Sequence, residues 1–105
     1  FSGVVEEVDE GDDIAKALGD KKVAILQNHG ILTTGPSVDI ALWFYMSMER
    51  CCQAQLIAES AGKPISVPHE TAIKTREFIA NDIAAWASYQ PAFDKIVRMQ
   101  PDLLD

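Results

Sequence analysis

The 105-residue sequence predicts an α/β fold with a helical C-terminal tail. Three observations support this prediction. Short apolar runs typical of strands alternate with helical spacing in the first third of the sequence. The stretch from Ser37 to Ala61 then contains neither glycine nor proline, as a long helix requires. Further helical patterns fill the sequence after Pro68, so the whole order is typical of an α/β start with a helical tail.

The N-terminal region is predicted to form a short strand, a turn at Gly11 and a short helix. Six acidic residues fall within the first thirteen positions, which is typical of a solvated loop and helix start. Ile14, Ala17 and Leu18 have helical spacing, and Gly19 suits a helix end. The helix is therefore predicted to run from Asp12 to Leu18.

Two short strands are predicted on either side of the sequence Asn28-His29-Gly30. The continuous apolar run from Val23 to Leu26 predicts a strand buried on both faces. The β-branched stretch that begins at Ile31 predicts a second strand. Glycine readily adopts a positive φ and asparagine tolerates turns, so a tight reversal or bulge is expected between the strands.

A long helix is predicted from Ser37, a suitable N-cap, to Ala61, just before Gly62. Its first half is apolar nearly all round and must be covered on every side. A missing part of the domain or another subunit is expected to pack there. After an extended linker, a second long helix is predicted from His69 to Gln90, with a buried stripe of Ile73, Phe78, Ile79, Ile83 and Trp86. Pro91 is expected to interrupt it, leaving a short final helix with Phe93, Ile96 and Val97 inward.

Composition excludes several classes of function. The formal net charge of −7 argues against a nucleic-acid surface and against binding to an anionic membrane. Cys51 and Cys52 are adjacent, which disfavours a disulfide and makes a reducing, cytoplasmic setting the default expectation. The longest apolar run, residues 40–46, is too short to span a bilayer. The sequence begins at Phe1 rather than methionine, inside a strand-like stretch, so we expect it to be a fragment of a longer protein.

His29 is the candidate functional residue, and two interpretations stay open from the residues alone. It is either a turn residue satisfied by backbone groups or a metal ligand at a strand tip. His69 follows Pro68 and is expected at the surface of a helix start. With only these two histidines, one copy of the chain cannot supply a three-histidine zinc site. No catalytic residue is predicted, and no GxGxxG, P-loop, GxSxG or HExxH motif is present.

The stretch from Glu10 to Pro64, above all "ILQNHGILTTG" and the helix after it, resembles the class II aldolase/adducin family. The resemblance implies that residues 1–64 are the C-terminal half of such a domain, a three-layer α/β/α sandwich, and residues 65–105 its helical extension. Family enzymes bind a divalent metal, usually Zn²⁺, through three histidines. Two of these belong to an upstream His-x-His motif, and the third, in the Asn-His-Gly turn, corresponds to His29.

Because the upstream motif is absent, this chain alone is expected to bind metal weakly or not at all. The resemblance implies a lyase that cleaves a C–C bond in a small hydroxy-carbonyl or sugar-phosphate substrate, with the metal as Lewis acid. The alternative is an adducin-like assembly domain without a metal site. Dehydration, epimerisation and decarboxylation also remain open. The expected partners are the protein's own N-terminal portion and further copies of it, as a tetramer, with no nucleic acid and no membrane.

Overall fold

The computed structural model describes the backbone of residues 8–104 and the side chains of residues 11–104. Its elements, in chain order, are α1 (Val8–Leu18), β1 (Val23–Leu26), β2 (Gly30–Thr33), α2 (Val38–Ala61), α3 (His69–Ile79), α4 (Asp82–Met99) and a 3-10 helix (Pro101–Leu104). This helix-rich chain with a small two-stranded sheet confirms the predicted α/β class with a helical tail.

The first helix begins earlier than predicted. Gly11 lies inside α1, so the turn expected there is wrong, whereas the helix predicted up to Leu18 is present. A glycine inside a helix costs only about 1 kcal/mol, which is not enough to end one. Ile14 and Leu18 are half-buried on the inner side of α1, and the residues between them are exposed. The strand predicted before this helix falls at residues outside the described range.

The two predicted strands form an antiparallel hairpin. Val23 pairs with Thr33 and Leu26 pairs with Gly30, and the Thr34 N–H donates to the Lys22 carbonyl at 2.9 Å. The expectation that β1 is buried on both faces is wrong, because Ile25 is 63% exposed. Burial of both faces needs a layer of protein on each side, and the elements in the described range do not cover Ile25.

The centre of the fold lies where α2 packs against α4 and the hairpin. Its buried residues are Ile40 and Phe44 of α2 and Ala85 of α4. Partly buried Val23, Trp43 and Ala80 pack around them. The prediction for α2 is confirmed at both ends, because Ser37 is its N-cap residue and Gly62 its C-cap residue. Among residues 8–104, no helix combines the length and hydropathy needed to span a bilayer.

The single long helix predicted from His69 to Gln90 is wrong. Asn81 separates α3 from α4, because its side-chain amide donates to the Phe78 carbonyl at 2.8 Å and its side-chain oxygen accepts from the Ala84 N–H at 2.9 Å. One side chain thus closes the first helix and caps the second. Pro91 does not interrupt α4 but lies within it. Proline inside a helix removes one backbone hydrogen bond. Despite this loss, α4 continues past Pro91 to Met99, and it packs on α2.

The buried stripe predicted for this region is also wrong. Phe78 is 81% exposed and Ile83 is 80% exposed, and Ile79 and Trp86 are exposed as well, whereas Ile73 is half-buried. Of the three residues expected inward after Pro91, Phe93 and Ile96 are exposed and Val97 is half-buried. The break at Asn81 starts a new helical phase, in which Ala85 faces α2 and is fully buried.

Candidate functional site

His29 lies in the tight turn that joins β1 to β2. Its backbone N–H donates to the Leu26 carbonyl at 3.0 Å, which closes a β-turn over Gln27 and Asn28. Asn28 has φ of +58°, in the left-handed region. The third position of some β-turns requires a positive φ and accepts glycine or asparagine. The predicted reversal is therefore confirmed, but Asn28 rather than Gly30 supplies the left-handed residue.

The structure places the His29 side chain at the surface, directly before the first residue of β2. Imidazole is the commonest side-chain ligand for transition metals and Zn²⁺. The hairpin ladder on both sides of the turn restricts the backbone that carries this side chain. The imidazole of His29 is therefore a side chain that could hold a metal ion at this exposed turn.

A complete metal site is not formed by the side chains of residues 11–104. No group of three or more histidine, cysteine, aspartate or glutamate residues in that range is placed to hold a metal ion. His69 lies at the start of α3 and lines a separate shallow groove of about 330 Å³. Cys51 is exposed and Cys52 is half-buried on α2, and both are free thiols. A three-ligand site that included His29 would need side chains from outside residues 11–104 of one copy of the chain.

The base of the hairpin is held to the helices by Lys22. Its Nζ lies 2.7 Å from Oδ1 of Asp82 at the start of α4, and 4.9 Å from the ring centroid of Phe44. Both partners are anchored, since Phe44 belongs to the buried centre and Asp82 follows the capping residue Asn81. Lys22 therefore joins the hairpin to α2 and α4 at once.

A second group of contacts fixes β2 and the following loop on α2. The Thr33 hydroxyl donates to the Ala41 carbonyl at 2.9 Å. At Gly35, an added Cβ would lie 2.9 Å from Cγ2 of Ile40 and 3.0 Å from the Ala41 nitrogen, so the loop passes too close to α2 for a side chain. Sequence reasoning missed Lys22, Thr33 and Gly35 as structural determinants. The sequence Gly35-Pro36-Ser37, which combines a glycine and a proline before the helix, is the local signal of a special backbone here.

The start of α2 carries an acidic residue with several donors. Asp39 accepts hydrogen bonds from the Ser37 hydroxyl, the Ile40 N–H at 3.0 Å and the Gln90 amide at 3.3 Å. The Ser37 hydroxyl has the largest effect, and together these donors hold the pKa of Asp39 below its ordinary value of 3.8. A groove of about 280 Å³ opens beside Asp39, lined also by Val38, Leu42, Tyr89, Gln90 and Phe93. This groove does not include His29.

A single family model matches the part of the chain that contains the hairpin and most of α2. The family model described as the Class II Aldolase and Adducin N-terminal domain matches residues 3–56. The chain belongs to the class II aldolase and adducin family. The matched range contains the Asn-His-Gly turn, Thr33, Gly35 and most of α2.

Individual relatives support the same assignment. The chain is 39% identical over 103 residues to decarboxylase NovR of Streptomyces niveus, covering 98% of this chain and 38% of the relative. It is 36% identical, over the same number of residues, to 4-hydroxy-3-prenylphenylpyruvate oxygenase/4-hydroxy-3-prenylbenzoate synthase of Streptomyces roseochromogenus subsp. oscitans, covering 98% of this chain and 37% of the relative.

A solved structure shows the same fold. L-fuculose 1-phosphate aldolase from Glaciozyma antarctica PI12 matches with a TM-score of 0.84 and 36% sequence identity, over 87% of this chain and 36% of that chain. The chain therefore spans little more than a third of the length of the relatives that it matches.

Proposed function

We propose that this chain is part of a divalent-metal-dependent lyase of the aldolase type, in which His29 is one ligand of a zinc ion. The observation that carries the proposal is the exposed histidine in the Asn28-His29-Gly30 turn. That turn lies in a chain that matches an L-fuculose 1-phosphate aldolase with a TM-score of 0.84. The proposed substrate is a small hydroxy-carbonyl compound or a sugar phosphate.

In this proposal, the hairpin supplies one metal ligand and the rest of the full-length protein supplies the other catalytic groups. A divalent ion, when bound, supplies a Lewis acid that polarises a carbonyl oxygen. The hairpin's part is to present the His29 imidazole from a backbone fixed by the Leu26 carbonyl and the strand ladder. The remaining ligands and the proton-transferring groups are proposed to come from the N-terminal portion of the full-length protein, since residues 11–104 do not form a three-ligand group.

The test compares the two histidines in the full-length protein. His29→Ala should lose most of its bound zinc, measured by elemental analysis, and about 100-fold or more of its cleavage of L-fuculose 1-phosphate. His69→Ala is the matched control, since His69 is exposed on α3 in a separate groove, and it should keep both. Circular dichroism checks that both variants fold. Full zinc content in His29→Ala would rule out His29 as a zinc ligand.

Decarboxylation is a second candidate activity. It is favoured by the 39% identity to decarboxylase NovR over 98% of the chain. Loss of CO₂ from a 2-oxo acid differs from aldol cleavage, because the carboxyl carbon is bonded to the carbonyl carbon and the electron pair has no neighbouring carbonyl to accept it. O₂ is therefore the proposed oxidant, as the oxygenase name of the second relative indicates. The assay that separates the two activities offers the full-length protein L-fuculose 1-phosphate and, separately, 4-hydroxy-3-prenylphenylpyruvate with O₂. Aldehyde release from the first supports the lyase, whereas CO₂ release from the second supports the decarboxylase.

An adducin-like assembly role is the non-enzymatic alternative, and the exposed apolar side chains are its support. Phe78, Ile83 and Ile65 of the tail and linker are 81%, 80% and 97% exposed. We propose that further segments of the same polypeptide and neighbouring subunits cover these side chains, in a tetramer. Light scattering after size-exclusion chromatography measures the assembly. A full-length protein that assembles but never retains stoichiometric metal would favour the adducin-like role over the enzyme.

A further inference from the structure

The contact between Thr33 and α2 provides a means of orienting the His29 hairpin. Thr33 is the last residue of β2, and its hydroxyl donates to the Ala41 carbonyl at 2.9 Å in a partly buried position. Ala41 lies in the first turn of α2, next to buried Ile40. A carbonyl oxygen has two lone pairs, so it can accept this bond in addition to a helical one. The bond therefore need not disturb the helix that it uses as an anchor.

This contact differs in kind from the apolar packing around it. Val23 packs against the Ile40, Phe44 and Ala85 cluster, and apolar packing of this type is not directional. A hydrogen bond requires a narrow range of distance and angle, so it restricts how β2 can rotate on α2, in addition to the contacts of Lys22 just before β1. The missing side chain of Gly35 then allows the loop after β2 to follow α2 closely.

The hairpin transmits this orientation to the turn. Thr33 and Gly30 lie at the two ends of β2, roughly 10 Å apart along an antiparallel strand. A rotation of about 6° at the Thr33 end would therefore move Gly30, and His29 before it, by about 1 Å. An error of about 1 Å in the position of a reacting or binding group can cost about 100-fold in rate. A change in the orientation of β2 at Thr33 would therefore change the position of His29.

We propose that Thr33 is a positioning residue, whose hydroxyl bond to the Ala41 carbonyl sets the orientation of the hairpin and thereby the place of the His29 imidazole. The metal-related part of this inference rests on the proposed function. Thr33 itself is not proposed to contact the metal or the substrate. Its expected effect is therefore on metal affinity and site geometry rather than on the presence of a ligand.

The test uses Co²⁺ as the probe in the full-length protein. Thr33→Val keeps the shape and removes the hydroxyl. It should weaken Co²⁺ binding by about tenfold and change the visible absorption of the bound ion. Thr33→Ser restores a hydroxyl and should return both to within twofold of the parent. Thr34→Val is the matched control, since exposed Thr34 contributes its backbone N–H, which that substitution retains.

Two further measurements keep the inference separable from the proposed function. Residual dipolar couplings of residues 23–33, measured relative to α2, should change in Thr33→Val and not in Thr34→Val. If His29→Ala binds Co²⁺ like the parent, the proposed metal role fails, and the couplings alone decide the orienting role of Thr33.

A folded Thr33→Val with unchanged couplings, Co²⁺ affinity and spectrum would overturn the inference. If Thr33→Val does not fold, Thr33→Ala takes its place. Loss of folding in both would also overturn the inference, since Thr33 would then serve the whole fold rather than the hairpin.

Discussion

The hairpin of residues 23–33 and the tail formed by α3 and α4 both contact α2, but they differ in how much of their own structure is fixed by contacts within the chain. The hairpin has a complete backbone ladder, the Thr33 hydroxyl bond and the close approach at Gly35. The tail joins α2 through Ala85 at the centre and the Gln90 bond to Asp39. The geometry of the hairpin therefore follows from directional contacts within the chain.

The tail, by contrast, presents much of its apolar surface to solvent. Phe78 and Ile83 are each about four-fifths exposed, although such side chains normally contribute to a core. Asn81 nevertheless defines the helix boundary sharply through two hydrogen bonds of its own. Local capping at Asn81 thus sets where the two helices end and begin, although the elements of residues 8–104 leave their apolar faces exposed.

Among the substitutions that test the difference between hairpin and tail, the largest effect on stability is expected at Gly35. Gly35→Ala should lower the free energy of unfolding by about 1–3 kcal/mol, because the new Cβ would overlap Ile40 and crowd the backbone of Ala41. Gly11→Ala is the control. Its Cβ would meet nothing within 4 Å, and helix propensity should make that variant about 0.5–1 kcal/mol more stable. Urea denaturation measures the free energy of unfolding of both variants. A change of the same sign in Gly35→Ala and Gly11→Ala would contradict the close approach at Gly35.

An intermediate effect is expected in the tail at Asn81. Asn81→Ala should cost about 1 kcal/mol, because the Ala84 N–H loses its cap and the Phe78 carbonyl loses its donor. Asn81→Asp keeps the acceptor for the Ala84 N–H and should cost less. Hydrogen exchange at the Ala84 amide reports the cap directly. An unchanged exchange rate in Asn81→Ala would show that the two helices do not depend on this side chain for their boundary.

The smallest effect is expected at Asp39, where the tail contacts the start of α2 through Gln90. The folded pKa of Asp39 lies below its ordinary value of 3.8, so this carboxylate stabilises the fold above that pH. The contribution is lost as the pH falls below 3.8 through the lower folded pKa. Ser37→Ala removes the strongest donor and should move the carboxyl titration, followed by NMR, to higher pH. An unmoved titration would exclude the Ser37 hydroxyl as the cause.

Sequence reasoning succeeded where the signal is local. Ser37 and Gly62 mark the ends of α2, and Asn28-His29-Gly30 marks the turn, since each acts through its own backbone preferences or those of its neighbours. It failed at Pro91 and at the buried stripe, because the helix break at Asn81 and the packing of α4 on α2 decide which faces of these helices are inward. Thr33 and Gly35 act through α2, whose place against the hairpin was unknown from the sequence. The ligand role of His29 followed only from family resemblance and stays a prediction.

The left-handed backbone at Asn28 has a consequence for how this turn evolves. A residue with a branched Cβ would be strained at φ of +58°, whereas glycine, asparagine and aspartate are tolerated. Selection on the path of the chain alone is therefore enough to keep the choice at position 28 narrow. Restriction of this position to glycine, asparagine and aspartate among homologues would follow from backbone shape alone and would need no catalytic role for the side chain.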